Sequence, residues 1–290
     1  MKRLLIIGCG DIALRVIPSL VRRYRVYALV RNPAQREKLR ALGVTPIVGD
    51  LDDRTSLSRI AGLAHAVLHF APPPATGARD TRTRNLLAAL SQDTQPKRLV
   101  YISTSGVYGD CGGARVNETR PPKPQSPRAQ RRVDAERQIR AWAKRNLVCA
   151  AILRVPGIYA ADRLPLERIR QGTPAIAAEE DGYTNHIHAD DLARIAVSAL
   201  RYAKPNRVCH ASDDSGMKMG DYFDAVADAY GLPRVPRVGR AEAQRVLPES
   251  LLSFTNESRR LGNERMKMEL KVRLRYPAVC AASLQDRFTI

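Results

Sequence analysis

The chain has 290 residues, of which 44% are hydrophobic, and it carries a formal net charge of +19 at pH 7. This apolar content suffices for the core of one large α/β domain, or of such a domain with a smaller lobe. No apolar run is long enough for a membrane span or a signal peptide, so we expect neither. The five cysteines are scattered without zinc or disulfide spacing, which fits the reducing cytoplasm.

The excess of basic residues raises the question of a nucleic-acid partner. Arginines are spread over the whole chain, and local clusters such as Arg22, Arg23 and Arg25 are not interleaved with aromatic residues. Solvent-exposed helix faces in an arginine-rich protein account for this distribution. A nucleic-acid partner is therefore the weakest of the functional interpretations.

The first element is a short apolar strand, Leu4 to Ile7, which runs directly into a glycine pair at Gly8 and Gly10. Gly8 permits a sharp turn, Gly10 lets a pyrophosphate approach the backbone, and a helix that opens near Asp11 directs free N–H groups at the anion. A strand-to-helix turn without a ligand has the same pattern, so the context decides between them. The predicted cofactor contacts in this loop are Gly8, Cys9, Gly10, Asp11 and Ile12.

The context is the β-α-β-α-β unit that a dinucleotide site requires, with a strand at Arg25–Val30, a helix at Pro33–Leu42 and a strand at Val44–Val48. Arg31 and Arg36 follow the second strand and can hold a 2′-phosphate from two sides, which favours NADP over NAD. NAD stays open, because both residues can equally be two more arginines in an arginine-rich chain.

The strand and helix pattern continues towards the C-terminus. Further helices are predicted at Thr81–Leu90, Arg128–Arg145, Ala189–Tyr202, Met219–Tyr230 and Arg240–Leu247. Further strands are predicted at His65–Ala71, Arg98–Ser103 and Leu147–Arg154, with short strands near Tyr183 and Arg207 and an irregular segment over 110–127. Additional cofactor contacts are predicted where strands end, at Asp50, Leu51, Ala71, Pro72 and Pro73. We divide the chain into a dinucleotide-binding domain, 1–155, and a mainly C-terminal substrate lobe, 156–290, with some of its elements interleaved with the sheet.

Three later motifs follow the glycine loop in order: YISTSGVYG at 101–109, LRVPGIY at 153–159 and NHIHADDLA at 185–193. Together they resemble the extended short-chain dehydrogenases, the NAD(P)-dependent epimerases and dehydratases. The resemblance covers the chain from residue 1 to about residue 200. It implies a Rossmann-type, doubly wound parallel α/β sheet, a bound nicotinamide cofactor, and a substrate cleft between the sheet and a smaller mixed C-terminal lobe.

The resemblance also implies catalytic positions, and here the chain departs from the family. Thr104 falls on the Ser or Thr that polarises the substrate oxygen. The Tyr that transfers the proton, and the Lys four residues later that lowers its pKa and binds the ribose, fall on Arg128 and Arg132. A guanidinium does not give up its proton, although Arg132 can still hold the ribose. The resemblance therefore indicates an atypical member without the usual Tyr and Lys pair.

Two tyrosines are alternative proton donors. Tyr108 follows Thr104 by four residues, and Tyr159 ends the sixth strand, at the edge where ligands bind in such sheets. Both positions also suit ordinary packing roles.

Two histidines, His186 and His188, alternate on a strand and so share one face. No third metal ligand is apparent in the sequence, so we predict no metal site. We expect structural histidines beside Asp190 or Asp191 instead.

Three functions stay open. The favoured one is an NADP-dependent oxidoreductase or epimerase/dehydratase acting on a small polar or sugar-like substrate of unknown identity. The second is a non-catalytic protein that senses NADP, and the third is a basic nucleic-acid-binding protein. Thr104 favours an enzyme, whereas the arginines at the Tyr and Lys positions favour the sensor. A homodimer stays open as the assembly, and no membrane partner is expected.

Overall fold

The computed structural model of the protein describes residues 1–248, 251–252 and 257–286. Its strands, in chain order, are β1 (Lys2–Ile7), β2 (Tyr24–Val30), β3 (Thr45–Val48), β4 (Ala66–His69), β5 (Arg98–Thr104), β6 (Arg115–Val116), β7 (Cys149–Val155), β8 (Gly157–Tyr159), β9 (Ala175–Ile176), β10 (His186–His188), β11 (Arg207–His210), β12 (Arg237–Val238) and β13 (Arg260–Leu261). Seven of them form the main sheet, in the order β11-β7-β5-β4-β1-β2-β3, and every pairing in it is parallel.

Helices cover both faces of this sheet. The α-helices with both ends described are α1 (Asp11–Leu20), α2 (Arg36–Ala41), α3 (Thr81–Leu90), α4 (Pro127–Arg145), α5 (Leu166–Arg170), α6 (Ala189–Tyr202), α7 (Met219–Ala229), α8 (Arg240–Val246), α9 (Glu264–Glu269) and α10 (Ala281–Gln285). Short 3₁₀ turns lie at Pro33–Gln35, Arg54–Ile60 and Ser105–Tyr108. Helices α1, α2 and α6 pack on one face, and α3 and α4 pack on the other. The doubly wound parallel α/β fold is therefore confirmed.

Local sequence explains the central elements. In β1, Leu4 and Ile6 join the core on one face of the sheet while Leu5 and Ile7 join the core on the other. A strand buried on both faces must be apolar throughout, which is why this one reads as a continuous hydrophobic run. Helix α4 begins where the Ser126 side chain accepts a hydrogen bond from the Ala129 amide at 3.2 Å.

The C-terminal third contributes to the main sheet as well as to a lobe. Strand β11, predicted as a short strand near Arg207, pairs in parallel with β7 and forms the edge of the sheet. The short strand expected near Tyr183 is wrong, because that residue forms only an isolated antiparallel bridge to Lys218. The lobe has its own apolar cluster, in which Tyr222, Phe223 and Val226 of α7 are buried. Residues 287–290, at the end of the predicted lobe, lie outside the described residues.

None of the helices in the described ranges combines the length and the apolar character needed to cross a membrane.

A buried ion pair joins α4 to β7 beneath the carboxyl edge of the sheet. The side chains of Arg154 and Glu136 are only 3% and 4% exposed, and Arg154 Nη2 donates to Glu136 Oε2 at 2.7 Å. The other oxygen of this carboxylate accepts from Arg154 Nε at 3.1 Å and from Ser103 Oγ at 2.6 Å. Every oxygen of the buried carboxylate is therefore hydrogen-bonded, which offsets the cost of removing it from water.

The same arginine continues the network towards the C-terminal segment. Arg154 Nη1 donates to the Tyr108 hydroxyl at 2.7 Å, and that hydroxyl lies 2.6 Å from His210 Nε2. His210 Nδ1 lies 2.8 Å from the Gly262 carbonyl oxygen, to which it must donate. Burial lowers the pKa of His210 to about 4, so the neutral ring accepts a hydrogen bond from the Tyr108 hydroxyl at Nε2. One chain of hydrogen bonds thus links α4, β7, β11 and the segment that follows β13.

We predict that Glu136→Leu lowers the free energy of unfolding by about 3–5 kcal/mol, because it leaves Arg154 charged and buried without its partner. The double variant Glu136→Leu with Arg154→Met should lose less than the sum of the two single variants, since it removes both charges together. Urea unfolding followed by circular dichroism measures all three values.

The control is Asp228→Asn at the exposed Asp228–Arg234 pair, where both side chains are more than half exposed. This variant should leave the free energy of unfolding nearly unchanged. Equal losses in the exposed and buried variants would contradict the role assigned to Glu136.

Candidate functional site

The loop between β1 and α1 has the geometry of an anion site. Gly8 has a φ of +91°, and a Cβ built on it would lie 2.6 Å from the Ala71 backbone nitrogen, so no other residue fits there. Gly10 precedes the first turn of α1, and a Cβ built on it would meet no atom within 4 Å. No side chain of the described residues caps this helix, so the N–H groups around Ile12 face open space. This space is a cradle that fits a pyrophosphate.

Two other predicted loop residues have supporting roles. Cys9 is half-buried with its thiol 3.8 Å from the Leu29 carbonyl oxygen, and burial raises its pKa to about 12. The thiol therefore stays protonated and fills space between β1 and β2. The Asp11 side chain forms ion pairs instead: its carboxylate binds Arg15 at 2.8 Å and Arg163 at 2.9 Å.

The predicted 2′-phosphate residues lie on the surface past the end of β2. Arg31 and Arg36 are both exposed, Arg36 within α2. The pKa of Asp52 is lowered, mainly by its hydrogen bond with Arg82 and further by the charge of Arg31. Arg31 therefore lies close to the turn after β3, where Asp50 and the buried Leu51 begin the next segment.

A residue that sequence reasoning missed, Arg82, organises this end of the cleft. Its guanidinium binds both oxygens of Asp52, at 2.9 and 2.6 Å, and donates to the carbonyl oxygens of Pro72 and Pro73 at 3.3 and 3.4 Å. The loop after β4, including Ala71 against Gly8, is thereby tied to the turn after β3. No sequence motif marks Arg82, because its partners come from two separate loops.

The expectation that the alternative proton donors Tyr108 and Tyr159 face the cleft is wrong, because both side chains are buried. Tyr108 is 1% exposed, and its hydroxyl is hydrogen-bonded to Arg154 and His210 inside the protein. Burial raises the pKa of Tyr108 to about 12. Tyr159 is 0% exposed, packed edge-to-face against the ring of His188, and burial raises its pKa as well. Neither hydroxyl reaches the cleft, because the apolar ring of each fills the core at its strand end.

Thr104 and the two arginines do lie at the carboxyl edge of the sheet. Thr104 is half-buried, and its Oγ1 accepts a hydrogen bond from the Gly106 amide at 3.2 Å. Arg132 donates from Nη1 to the Tyr101 hydroxyl at 2.9 Å and to the Ile102 carbonyl at 2.7 Å, which holds it against β5. Burial and the neighbouring charge of Arg132 lower the pKa of Arg128.

A cavity of about 790 Å³ opens beside these residues, between the carboxyl ends of β5 and β7 and the C-terminal lobe. Thr104 and Arg128 line it, as do Tyr183 and Tyr222 from the lobe. A second cavity of about 800 Å³ lies at the opposite edge, around the amino ends of β1 and β5. Ligands in parallel α/β sheets bind at the carboxyl ends of strands, so the cavity beside Thr104 is the candidate substrate cleft.

The histidines of β10 are neutral and buried. His186 is stacked on Tyr222 with ring centroids 4.1 Å apart, and burial lowers its pKa to about 3. His188 accepts a hydrogen bond at Nδ1 from the Asp190 amide at 3.2 Å and so begins α6. Within the described ranges, no three His, Cys, Asp or Glu side chains are grouped as a metal site would need.

We predict that Gly10→Val abolishes NADPH binding while the protein stays folded. The backbone at Gly10 has a φ of −85°, which valine adopts freely, but the new side chain fills the space over the start of α1. Binding of NADPH should weaken by about 100-fold or more, measured by calorimetry.

The matched control is Gly239→Val, since Gly239 precedes α8 in the same way, with a φ of −64°. This variant should keep NADPH affinity. Unchanged binding in a folded Gly10→Val protein would show that the loop is only a structural turn.

Comparison with known proteins agrees with this geometry. Residues 8–203 match the model of a family described as NAD(P)H-binding. A ketoreductase from Stigmatella aurantiaca, named for 4-hydroxy-2-methyl-3-oxo-4-farnesyl-3,4-dihydroquinoline-1-oxide, is 33% identical over 114 residues. That match covers 36% of this chain and 33% of the ketoreductase, so the chain spans about a third of the length of this relative.

Solved structures extend the similarity over nearly the whole chain. A functionally unknown conserved protein from Silicibacter pomeroyi superposes with a TM-score of 0.80 and 29% identity, covering 98% of each chain. The UDP-glucuronic acid 4-epimerase from Bacillus cereus, solved in complex with NAD, superposes with a TM-score of 0.75 over 98% of this chain and 96% of the epimerase. At 19% identity, the epimerase is evidence for the fold alone.

Proposed function

The chain belongs to the NAD(P)H-binding family, and on that premise we propose that it is an NADP(H)-dependent oxidoreductase or epimerase of the epimerase/dehydratase-like short-chain dehydrogenases. Its substrate is small and polar or sugar-like and binds in the cavity beside Thr104. The observation that carries the proposal is the start of α1 above Gly10, which has no side-chain cap. Strand β4 lies between β1, which leads into this helix, and β5, which ends at the cavity. The five cysteines, all unpaired, support a reducing cytoplasmic location.

The residues present fit a dinucleotide. The α1 N–H groups suit the pyrophosphate, and the Asp50 and Leu51 turn lies where the adenosine half would end. Arg31 and Arg36, exposed and on either side of the Asn32–Gln35 turn, suit an additional 2′-phosphate. The bound nicotinamide would supply hydride transfer, and the protein would supply position and charge.

We predict that the protein binds NADPH more tightly than NADH, and that Arg31→Ala removes most of this preference. Loss of a charge-assisted phosphate contact should cost about 1.5–3 kcal/mol for NADPH and little for NADH. Calorimetric titration of both cofactors measures the difference. Arg22→Ala, an exposed arginine beyond the opposite end of β2, is the control and should leave both affinities unchanged. Equal affinities of the wild type for the two cofactors would rule out the NADP assignment.

Proton transfer must use a group other than a Tyr and Lys pair. Arg128 occupies the mouth of the cavity and Arg132 is held against β5, so both supply positive charge but no acid. In this proposal the Thr104 hydroxyl, which lines the cavity, hydrogen-bonds a substrate oxygen. Tyr183 is half-buried in the cavity wall, and its phenol is our candidate for the proton donor that replaces the missing tyrosine.

We predict weak turnover of sugars, hydroxy acids and aldehydes, about 10² to 10⁴-fold below that of enzymes with a positioned acid-base group. Arg128→Tyr combined with Arg132→Lys should raise this activity, measured as absorbance change of NADPH. Tyr183→Phe tests the alternative donor. Efficient turnover by the wild type that survives Tyr183→Phe would contradict both assignments.

The second candidate function is a sensor of NADP without turnover. It is favoured by one observation, that arginines occupy the two positions where the family places its proton-transfer pair. Tight NADPH binding together with no turnover, even after restoration of the pair, would select the sensor over the enzyme.

A further inference from the structure

We propose that the cavity beside Thr104 selects an anionic ligand, a carboxylate or a phosphate ester, and holds its charge with Arg131, Arg168 and Arg259. This inference deepens the proposed function, on which it relies for the choice of cavity. It names the chemical class of the substrate, which the motifs of the chain leave open.

The first support is the balance of charge around the cavity. Among the described residues that line it, the basic side chains are Arg128, Arg131, Arg168 and Arg259, and the acidic side chain is Glu257. Glu257 is already engaged, because its Oε2 lies 2.8 Å from Arg259 Nη1. The basic side chains in the described wall therefore outnumber the acidic one, and the one carboxylate is already bound to Arg259.

The second support is that these guanidinium groups are buried and incompletely bonded. Arg131 and Arg259 are 7% and 9% exposed. Each donates from Nη1, Arg131 to the Gly77 carbonyl and Arg259 to the Gly109 carbonyl, at 2.8 and 2.7 Å. The Nε groups of both, and of Arg168, are buried without a hydrogen-bond partner among the described residues. A buried guanidinium with an unfilled donor is costly, and an anion held beside it in the cavity lowers the cost of its buried charge.

The third support concerns the shape of the cation site at Arg168. Its guanidinium lies over the ring of Phe223, 4.3 Å from the centroid, and Nη2 donates to the Pro174 carbonyl at 3.2 Å. Stacking on an aromatic ring fixes the plane of the guanidinium and leaves its edge available to the two oxygens of an anion. Burial lowers the pKa of Arg168, and a bound anion would reverse that effect.

The other side chains considered in the cavity wall are neutral or apolar, so they do not repel an anion. His186, which also lines the cavity, is neutral at physiological pH because burial lowers its pKa to about 3. Met219, Tyr222 and Phe223 form an apolar side. The cavity thus suits a ligand with one charged end and one flat or apolar face, whereas a neutral sugar brings no negative charge to the buried guanidinium groups.

The test uses the full chain saturated with NADPH and three probes that share one sugar ring and differ in the group at C6: glucose, glucuronate and glucose 6-phosphate. Calorimetry should show that at least one charged probe binds about tenfold more tightly than glucose, and that salt weakens this binding. Comparison of glucuronate with glucose 6-phosphate distinguishes a carboxylate site from a phosphate site.

Arg168→Gln should weaken the charged probes by about tenfold or more and leave glucose and NADPH unchanged. Arg170→Gln is the matched control, because it removes the same charge from the same helix at an exposed position outside the cavity wall. Arg168→Lys, which keeps the charge but not the planar fork, should give an intermediate loss and serves if the glutamine variant fails to fold.

Equal binding of all three probes, or no binding of any at millimolar concentration, would overturn the inference, as would equal effects of Arg168→Gln and Arg170→Gln. NADPH affinity separates this failure from that of the proposed function. A protein that binds NADPH without preferring anions refutes only the anion site, whereas a protein that does not bind NADPH refutes the proposed function itself.

Discussion

The buried contact between Arg154 and Glu136 is the constraint around which the carboxyl edge of the sheet is organised. Two opposite charges lie almost fully out of water, and each makes a further hydrogen bond to a neighbour, Glu136 to Ser103 and Arg154 to Tyr108. A pair of this kind adds little net stability, but it strongly disfavours any arrangement that separates its members. It therefore fixes how α4 lies against β7, and α4 is the helix that carries Arg128 and Arg131 to the cavity.

The same constraint decides which tyrosines are available for chemistry. Tyr108 is held inside because its hydroxyl completes the hydrogen-bonding of Arg154 and of His210. A phenol that both accepts from a guanidinium and donates to an imidazole cannot also face a substrate. The cavity at this edge is lined instead by Thr104 and by groups of the lobe such as Tyr183 and Tyr222.

Sequence predicted best those features whose physical cause is local. The glycine loop, the helix Thr81–Leu90 and the helix Ala189–Tyr202 follow from spacing, capping and apolar period within a short window, and the structure has both helices at the predicted bounds. The burial of Tyr108 and Tyr159 could not be predicted, because their environment is set by partners far away in the chain, such as His210, 102 residues after Tyr108. The cavity positions of Arg131, Arg168 and Arg259 could not be predicted for the same reason. Arg131 and Arg259 stand in local arginine clusters that the sequence indicated to be solvent-exposed, whereas the structure buries both side chains.

The pairing of β6 with β13 has a consequence for how the protein is made. Arg115 lies opposite Arg260, so the ribosome must synthesise about 145 further residues before β6 finds its partner. By then all the strands from β1 to β5 are already outside the exit tunnel and can pair with one another. The strands of the half that would hold the dinucleotide are thus synthesised early, whereas the segment that brings Arg259 to the cavity wall is synthesised much later. During synthesis the nascent chain therefore passes through a stage in which a cofactor could dock before any substrate has a place to bind.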